Sequence, residues 1–477
     1  MSKRFAKCGF VLLLAGVSVA RAQGFDPYRV RTLVAATPAA PLLKDASCRD
    51  IPDNRPLEFD DVIMSAICSN PQARESWAYA RAQTAALGVA DAAYWPTLTA
   101  KIGVERDALS TTYGTSLGAI EQSQHASSKY GVLDLSWVLF DFGKRDAARR
   151  EARSLLIAAN AAQDNTLQTV FFNAAQAFYA LRDAQALLDA AQRTESIVRE
   201  SLVEASAKHD AGAGTLADKL QARTSYRRAV LERNSAEGDV RVATGALAVA
   251  MGLDANVPIR IAVQTRETKV PAGFDASIDQ LIDEAKQRQP KLVAARAKLD
   301  AARADVDAVR AQSRPTISLF GSLTQNNPSY QQQPESIPVI RSRGSTIGVQ
   351  VTIPLFEGFS SGYRIEQAQA QVDAQEAVVR DTELKLSFDV WKNYQNLQAD
   401  TANLDNSDEL LSDAQDSLEI ARGRYRAGVG TFTDLLTVQA ALADAWKRRA
   451  LAVSAWYTAR LKLAESLGKL GVWRESE

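Results

Sequence analysis

Two eight-residue stretches carry the residue types most open to a chemical reading. Ala211-Gly212-Ala213-Gly214-Thr215-Leu216-Ala217-Asp218 and Ala427-Gly428-Val429-Gly430-Thr431-Phe432-Thr433-Asp434 share the pattern Gly-x-Gly-Thr-x-x-Asp. A glycine loop cradles phosphate where a strand precedes it and a helix follows, but here helical patterns stand on both sides. The pattern is explained locally. Gly212 and Gly428 can take the left-handed conformation that ends a helix, and Thr215 with Asp218, like Thr431 with Asp434, forms a capping box that opens the next one. Lys208, Arg422, Arg424 and Arg426 suit the negative end of the helix dipole. The two histidines, His125 in a polar hairpin region and His209 at a helix end, lack the spacing of a metal site. No arrangement of nucleophile, base and orienting group is present. Neither an enzyme nor a bound cofactor or metal is expected.

The elements that position these turns are long. Residues 144–210 contain no glycine or proline, and as one helix would extend roughly 100 Å at 1.5 Å per residue. Their apolar positions follow a heptad. Leu167, Ala174, Leu181, Leu188 and Leu202 fill one position, and Val170, Ala177, Ala184, Ala191, Val198 and Ala205 the next. Such a repeat implies a left-handed supercoil with closely approaching backbones. A second long helix, residues 359–427, repeats it with Val390, Leu397, Leu404, Leu411 and Leu418.

The chain is a tandem duplication. Pro71 and Pro96 correspond to Pro290 and Pro315, Leu139-Phe140-Asp141 to Leu355-Phe356-Glu357, Gly212 to Gly428 and Gly252 to Gly468. Residues 57–252 form the first copy, with a helix from Gln72 to Trp95, a β-hairpin over 97–142, the long helix 144–210 and a helix over 215–251. Residues 276–468 form the second, with a helix from Lys291 to Arg314, a hairpin over 316–356, the long helix and a helix over 431–467. In each hairpin, runs of alternating polarity, such as Leu98, Ala100, Ile102 and Val104 against Thr99, Lys101 and Gly103, make one apolar and one polar face. Their length matches tilted membrane strands, with Trp137 and Tyr130 as interface anchors. Ala108 to Ser127 and Gln325 to Arg343 read as long polar loops. Residues 23–56 and the linker 253–275 are expected to form a small collar, and 469–477 a tail.

Composition and the amino terminus set the compartment. The 477 residues are 46% apolar with zero formal net charge, which argues against a nucleic-acid partner. Lys3, Arg4 and Lys7, the apolar run Phe10 to Val19 and the cleavage pattern Ala20-Arg21-Ala22 read as a signal peptide, 1–22. No later window is apolar enough for a membrane helix, so any membrane span must be made of strands. In an oxidising periplasm a disulfide between Cys48 and Cys68 is expected. Two hairpins give four strands, which cannot close on themselves, while open edges do not survive in hydrocarbon. The chain must therefore oligomerise. Three copies would give twelve strands around a lumen lined by small polar residues such as Thr99, Ser318, Ser322 and Gln350.

The signal peptide, the duplicated order of elements, Trp137-Val138-Leu139-Phe140-Asp141-Phe142-Gly143 and the paired glycine turns resemble the TolC family of outer-membrane efflux and secretion ducts. The resemblance covers nearly the whole mature chain. It implies an α+β membrane protein, trimeric, with a twelve-stranded barrel in outer-membrane lipid, four strands per protomer, continued by a long periplasmic α-helical barrel. It also implies an inner-membrane transporter and a periplasmic adaptor that meets the tip turns at Gly212, Gly214, Thr215, Gly428, Gly430 and Thr431. By the same resemblance Asp218 and Asp434 form charged rings at the periplasmic mouth, with Tyr425 and Arg424 helping to hold it shut. Thr437 stands where a second aspartate ring can occur. Without a cysteine at the cleavage site the chain departs from lipid-anchored drug-efflux members and sits nearer those serving type I protein (toxin) secretion. Small-molecule efflux is the alternative cargo class, and a surface or periplasmic coiled-coil structural protein the alternative of a different kind.

Overall fold

Each copy builds the same six elements in the same order. In the computed structural model, which describes residues 26–43, 48, 55–116, 118–262, 277–327 and 341–470, the first copy consists of α1 (Phe59–Ser69), α2 (Pro71–Ala92), β1 (Thr97–Thr115), β2 (Gly118–Phe140), α3 (Lys144–Asp210) and α4 (Leu216–Ala250). The second consists of α5 (Ile278–Arg288), α6 (Pro290–Gln312), β3 (Thr316–Asn327), β4 (Ser342–Thr352), α7 (Ser360–Arg426) and α8 (Phe432–Ser466). The signal peptide, most of the linker 253–275 and most of the tail lie outside the described residues. So do part of the 23–56 segment and the centre of the Gln325 to Arg343 connection. Among the described residues no helix is long and apolar enough to cross a membrane.

α1 and α5 were not read from sequence. They end where Asn70-Pro71 and Gln289-Pro290 interrupt the helical pattern, because proline is tolerated in a first turn but not inside a helix. Asn70 then caps α2, its Oδ1 accepting from the Gln72 N–H at 2.9 Å. The duplication recurs in packing. A Cβ on Gly252 would lie 2.9 Å from the Ser69 carbonyl, and one on Gly468 would lie 3.3 Å from that of Arg288.

The sheet corrects the expected loops. Its order is β1-β2-β3-β4, all antiparallel, with β1 and β4 at the edges. The β1–β2 ladder continues from Thr97↔Ser136 to Thr115↔Gly118, so within Ala108 to Ser127, expected as a polar loop, Ala108–Thr115 and Gly118–Ser127 are strand. Ser110, Thr111 and Thr112 pair in the ladder without an apolar stripe, which is why periodicity missed them. Gln325 to Asn327 and Ser342-Arg343 are strand as well. β4 stops at Thr352, short of the expected 356, ahead of Pro354, which has no N–H to give a ladder.

One face of the sheet is apolar and uncovered in the protomer: Ile102, Val104 and Ile347 are each 76% exposed. The other face is polar. Lys101 pairs with Asp134 at 3.2 Å, and Ser322 Oγ donates to the same carboxylate at 3.0 Å. Tyr130 belongs to this polar face, lying over Gly103, which corrects its expected place as an anchor on the apolar one. Trp137 stays at the apolar end of β2 and its indole N–H donates to the Tyr94 carbonyl at 2.9 Å.

Contacts divide the chain into two units. The first holds the sheet with Arg81–Leu156, Ala297–Glu376 and the described residues up to Val34. Its helical segments are tied by Arg149–Asp91 (2.6 Å), Arg150–Asp307 (3.0 Å) and Arg303–Glu376 (2.8 Å). β2 turns into α3 through Phe142 and Gly143, both at positive φ, and Arg145 braces that corner by donating to Asp141 (2.8 Å) and the Val138 carbonyl (2.7 Å).

The second unit, Ala35–Ala80, Ile157–Arg296 and Ala377 onward, holds two clusters that repeat each other. Val170, Ala174, Leu181, Leu247 and Met251 in one correspond to Leu386, Val390, Leu397, Leu463 and Leu467 in the other. On α3 and α7 the stripe follows the heptad, and Leu247, Met251, Leu463 and Leu467 join it from α4, α8 and their ends, each large side chain contributing about 2 kcal/mol by burial. A parallel bridge joins Leu57 to Ile261, and a disulfide joins Cys48 to Cys68.

Candidate functional site

Each glycine turn is closed by the same backbone device. After α3 the Ala213 N–H donates to the Lys208 carbonyl (2.8 Å) and the Gly212 N–H to that of His209 (2.9 Å). After α7 Val429 donates to Arg424 (3.0 Å) and Gly428 to Tyr425 (3.2 Å). This crossed pair requires a left-handed residue, supplied by Gly212 (φ 74°) and Gly428 (φ 76°). Gly214 and Gly430 are small for another reason, since a Cβ on them would press to 3.0 Å from Lys208 and 3.1 Å from Arg424.

Capping boxes then open α4 and α8. The Asp218 N–H donates to Thr215 Oγ1 and the Asp434 N–H to Thr431 Oγ1, both at 3.1 Å, while each aspartate carboxylate accepts from the N–H of its threonine. Thr431, through its side chain and then its backbone N–H, holds the exposed Asp434 carboxyl below the usual carboxylate range. Asp434 and Arg424 line one cavity of about 250 Å³ with Gly430, Ile420 and Val438. Asp218 does not join that cavity.

Tyr425 is buried inside the protomer. Its ring packs 5.4 Å from Phe432, and the Lys208 ammonium stands 3.8 Å over it while donating to the Tyr425 carbonyl at 2.6 Å. Burial raises the phenol pKa, reinforced by the charges of Asp218 and Glu204. A charge ladder continues along α3 and α7, where Arg422 meets Glu200 and Arg426 meets Glu204 at 3.5 Å, and from α8 Gln439 donates to Ser201 at 2.7 Å in the interior. Sequence reading assigned Lys208, Arg422 and Arg426 only to the helix dipole. The readable signal for their pairing was the matched four-residue spacing of Glu200/Glu204 and Arg422/Arg426.

Lysine, arginine, carboxylate and tyrosine are thus arranged to lock helix ends together, with no reacting centre among them. Among the described residues no group of histidine, cysteine and acidic side chains has the grouping of a metal site. The His209 imidazole meets the carboxylate of its neighbour Asp210 at 3.1 Å.

A duplicated chain with an uncovered apolar sheet face and long paired helices is the design of an outer-membrane channel. The outer membrane efflux protein family model matches residues 62–253 and 281–469, one match per copy. Protein CyaE of Bordetella pertussis is 32% identical over 413 residues, covering 86% of this chain and 84% of that protein. The outer membrane protein TolC of Escherichia coli is 22% identical over 423 residues, 86% and 82% of the two chains. Among solved structures, the outer membrane protein VceC of Vibrio cholerae superposes with a TM-score of 0.73 at 19% identity, covering 86% of this chain and 96% of that one. The chain belongs to the outer membrane efflux protein family: it is a TolC-like outer-membrane channel and not an enzyme.

Proposed function

We propose that the chain is the exit duct of a tripartite export system, a homotrimer that receives cargo from an inner-membrane transporter through a periplasmic adaptor. The observation that carries this reading is the four-stranded sheet with an edge strand on each side and an uncovered apolar face. Three copies joined edge to edge give twelve strands, satisfy every edge and leave a lumen, whereas an eight-stranded barrel fills with side chains. The adaptor is assigned to the turns at Gly212, Gly214, Thr215, Gly428, Gly430 and Thr431. Asp434, and with it Asp218, supplies the charge at the periplasmic mouth. Arg424 lies beside Asp434, and Tyr425 acts from within the protomer by locking two helix ends.

The cargo assigned here is protein, by type I secretion. The support is the absence of a cysteine at the cleavage pattern Ala20-Arg21-Ala22, which leaves no lipid anchor there. Small-molecule efflux is the second reading, favoured by the description of the family itself. Deleting the gene in its host and comparing the extracellular proteome with drug susceptibility separates the two. The expected outcome is loss of a secreted protein with drug susceptibility unchanged; drug hypersensitivity with an intact extracellular proteome overturns the protein-cargo assignment. For the mouth, single-channel recording on Asp434→Asn is expected to show reduced cation preference. Unchanged selectivity with lowered thermal stability makes the residue a cap only.

A further inference from the structure

Two strand glycines are occupied by rings from across the ladder. Gly103 opposes Tyr130, and Gly348 opposes Phe320. A glycine inside a strand weakens it unless something approaches closely there. A Cβ on Gly103 would lie 2.4 Å from Tyr130 Cζ and 2.5 Å from its Oη, and one on Gly348 would lie 2.7 Å from Phe320 Cζ. Each ring therefore lies flat on the backbone of its glycine, where any other residue would stand it up. The obstructing atoms are the far ends of partly exposed side chains, so an added methyl lifts the ring away from the sheet and leaves the backbone in place. Both pairs sit on the polar face, with Lys101, Asp134 and Ser322. Phe320 opposes Ser136, six residues along β2 from Tyr130, which separates the rings by about 20 Å along the strands.

We propose that Gly103 and Gly348 are width-setting positions, parking Tyr130 and Phe320 against the wall and so fixing the largest cross-section that the strand lumen passes. The inference rests on the duct reading, in which the polar face lines the lumen and a trimer carries three rings at each of two levels. Lifting either set projects three aromatic side chains inward at one height, where a folded or bulky cargo meets them first. The pairing also fills the gap that glycine leaves in a sheet, and the two roles separate by a size-dependent readout.

With Cys48 and Cys68 joined, Ser318→Cys supplies a thiol on the polar face, beyond both pairs as counted from the Thr115–Gly118 end. Intact cells are treated with polyethylene-glycol maleimides of graded mass. The expected result is that Gly103→Ala or Gly348→Ala slows labelling by the largest reactive reagent several-fold while the smallest labels at the parent rate. Adding Tyr130→Ala or Phe320→Ala, respectively, should restore it. If a glycine variant fails to assemble, Tyr130→Ala alone is expected to admit a larger reagent than the parent does. Unchanged size limits in properly assembled trimers overturn the proposal and leave the rings as sheet filling. A membrane-inserted parent whose Ser318→Cys thiol reacts with no externally added reagent overturns the duct reading instead, and this inference with it.

Discussion

At the scale of single residues, the helix-end lock is concentrated on Tyr425. The side chain is buried between Phe432 and Lys208, so Tyr425→Ala removes a ring that nothing nearby can replace, at a cost of about 3 kcal/mol. Limited proteolysis should then cut near Gly212 and Gly428 at protease levels that spare the parent. A second prediction concerns Asp183. Burial raises its carboxyl to about 6, partly opposed by Ser454 and Arg182. A carboxyl that binds its proton more tightly when folded stabilises most at acid pH, and that contribution fades as pH rises from the usual carboxylate range through 6. Asp183→Asn should raise the thermal midpoint at pH 8 and change it less at pH 5; equal shifts at both would refute the assignment. Asp434 has the opposite sign. Its depressed pKa makes its capping contribution complete at neutral pH and lost only as pH falls below the usual carboxylate range. The caps were legible because they are set by residues three apart. The burial of Tyr425 was not, since it depends on Lys208, more than two hundred residues earlier.

At the scale of elements, glycine positions that look alike in sequence differ in what surrounds them. Gly212 has positive φ and open space, so Gly212→Ala carries only the left-handed penalty, about 1 kcal/mol. Gly252 has positive φ and also presses on the Ser69–Asn70 backbone, which cannot swing aside as a side chain does. Gly252→Ala should therefore lower the thermal midpoint well beyond Gly212→Ala, and equal losses would show that the junction gives way. The disulfide closes a loop of about twenty residues ending in α1, for which chain entropy predicts about 3 kcal/mol. Hydrogen exchange on Cys68→Ser should show faster opening of α1 with α7 unaffected. The long helices and the duplication were legible because heptads and prolines write themselves into sequence over many residues. The outer halves of β1 and β2 were not, because backbone pairing without an apolar face leaves no periodicity to count.

At the scale of the whole molecule, the protomer's sheet is incomplete by itself, and its uncovered apolar face and edge strands define what must be added. Cross-linking and native mass spectrometry in mild detergent should find a trimer, and a stable monodisperse monomer with full β content would sink the arrangement. Trimer number was legible only as a choice among strand totals, because a sequence fixes how many strands one chain makes and not how many chains meet. The same open sheet also imposes an order in time. The clusters along the long helices and the Cys48–Cys68 link need no second copy, so they can mature in water while the strands still wait for lipid and neighbours. During that interval the chain carries a sticky face through an aqueous compartment. Its fate is then a race between encountering two siblings at the membrane and aggregating on the way, and the number of working channels depends on how fast newly exported copies arrive as well as on how stable the finished assembly is.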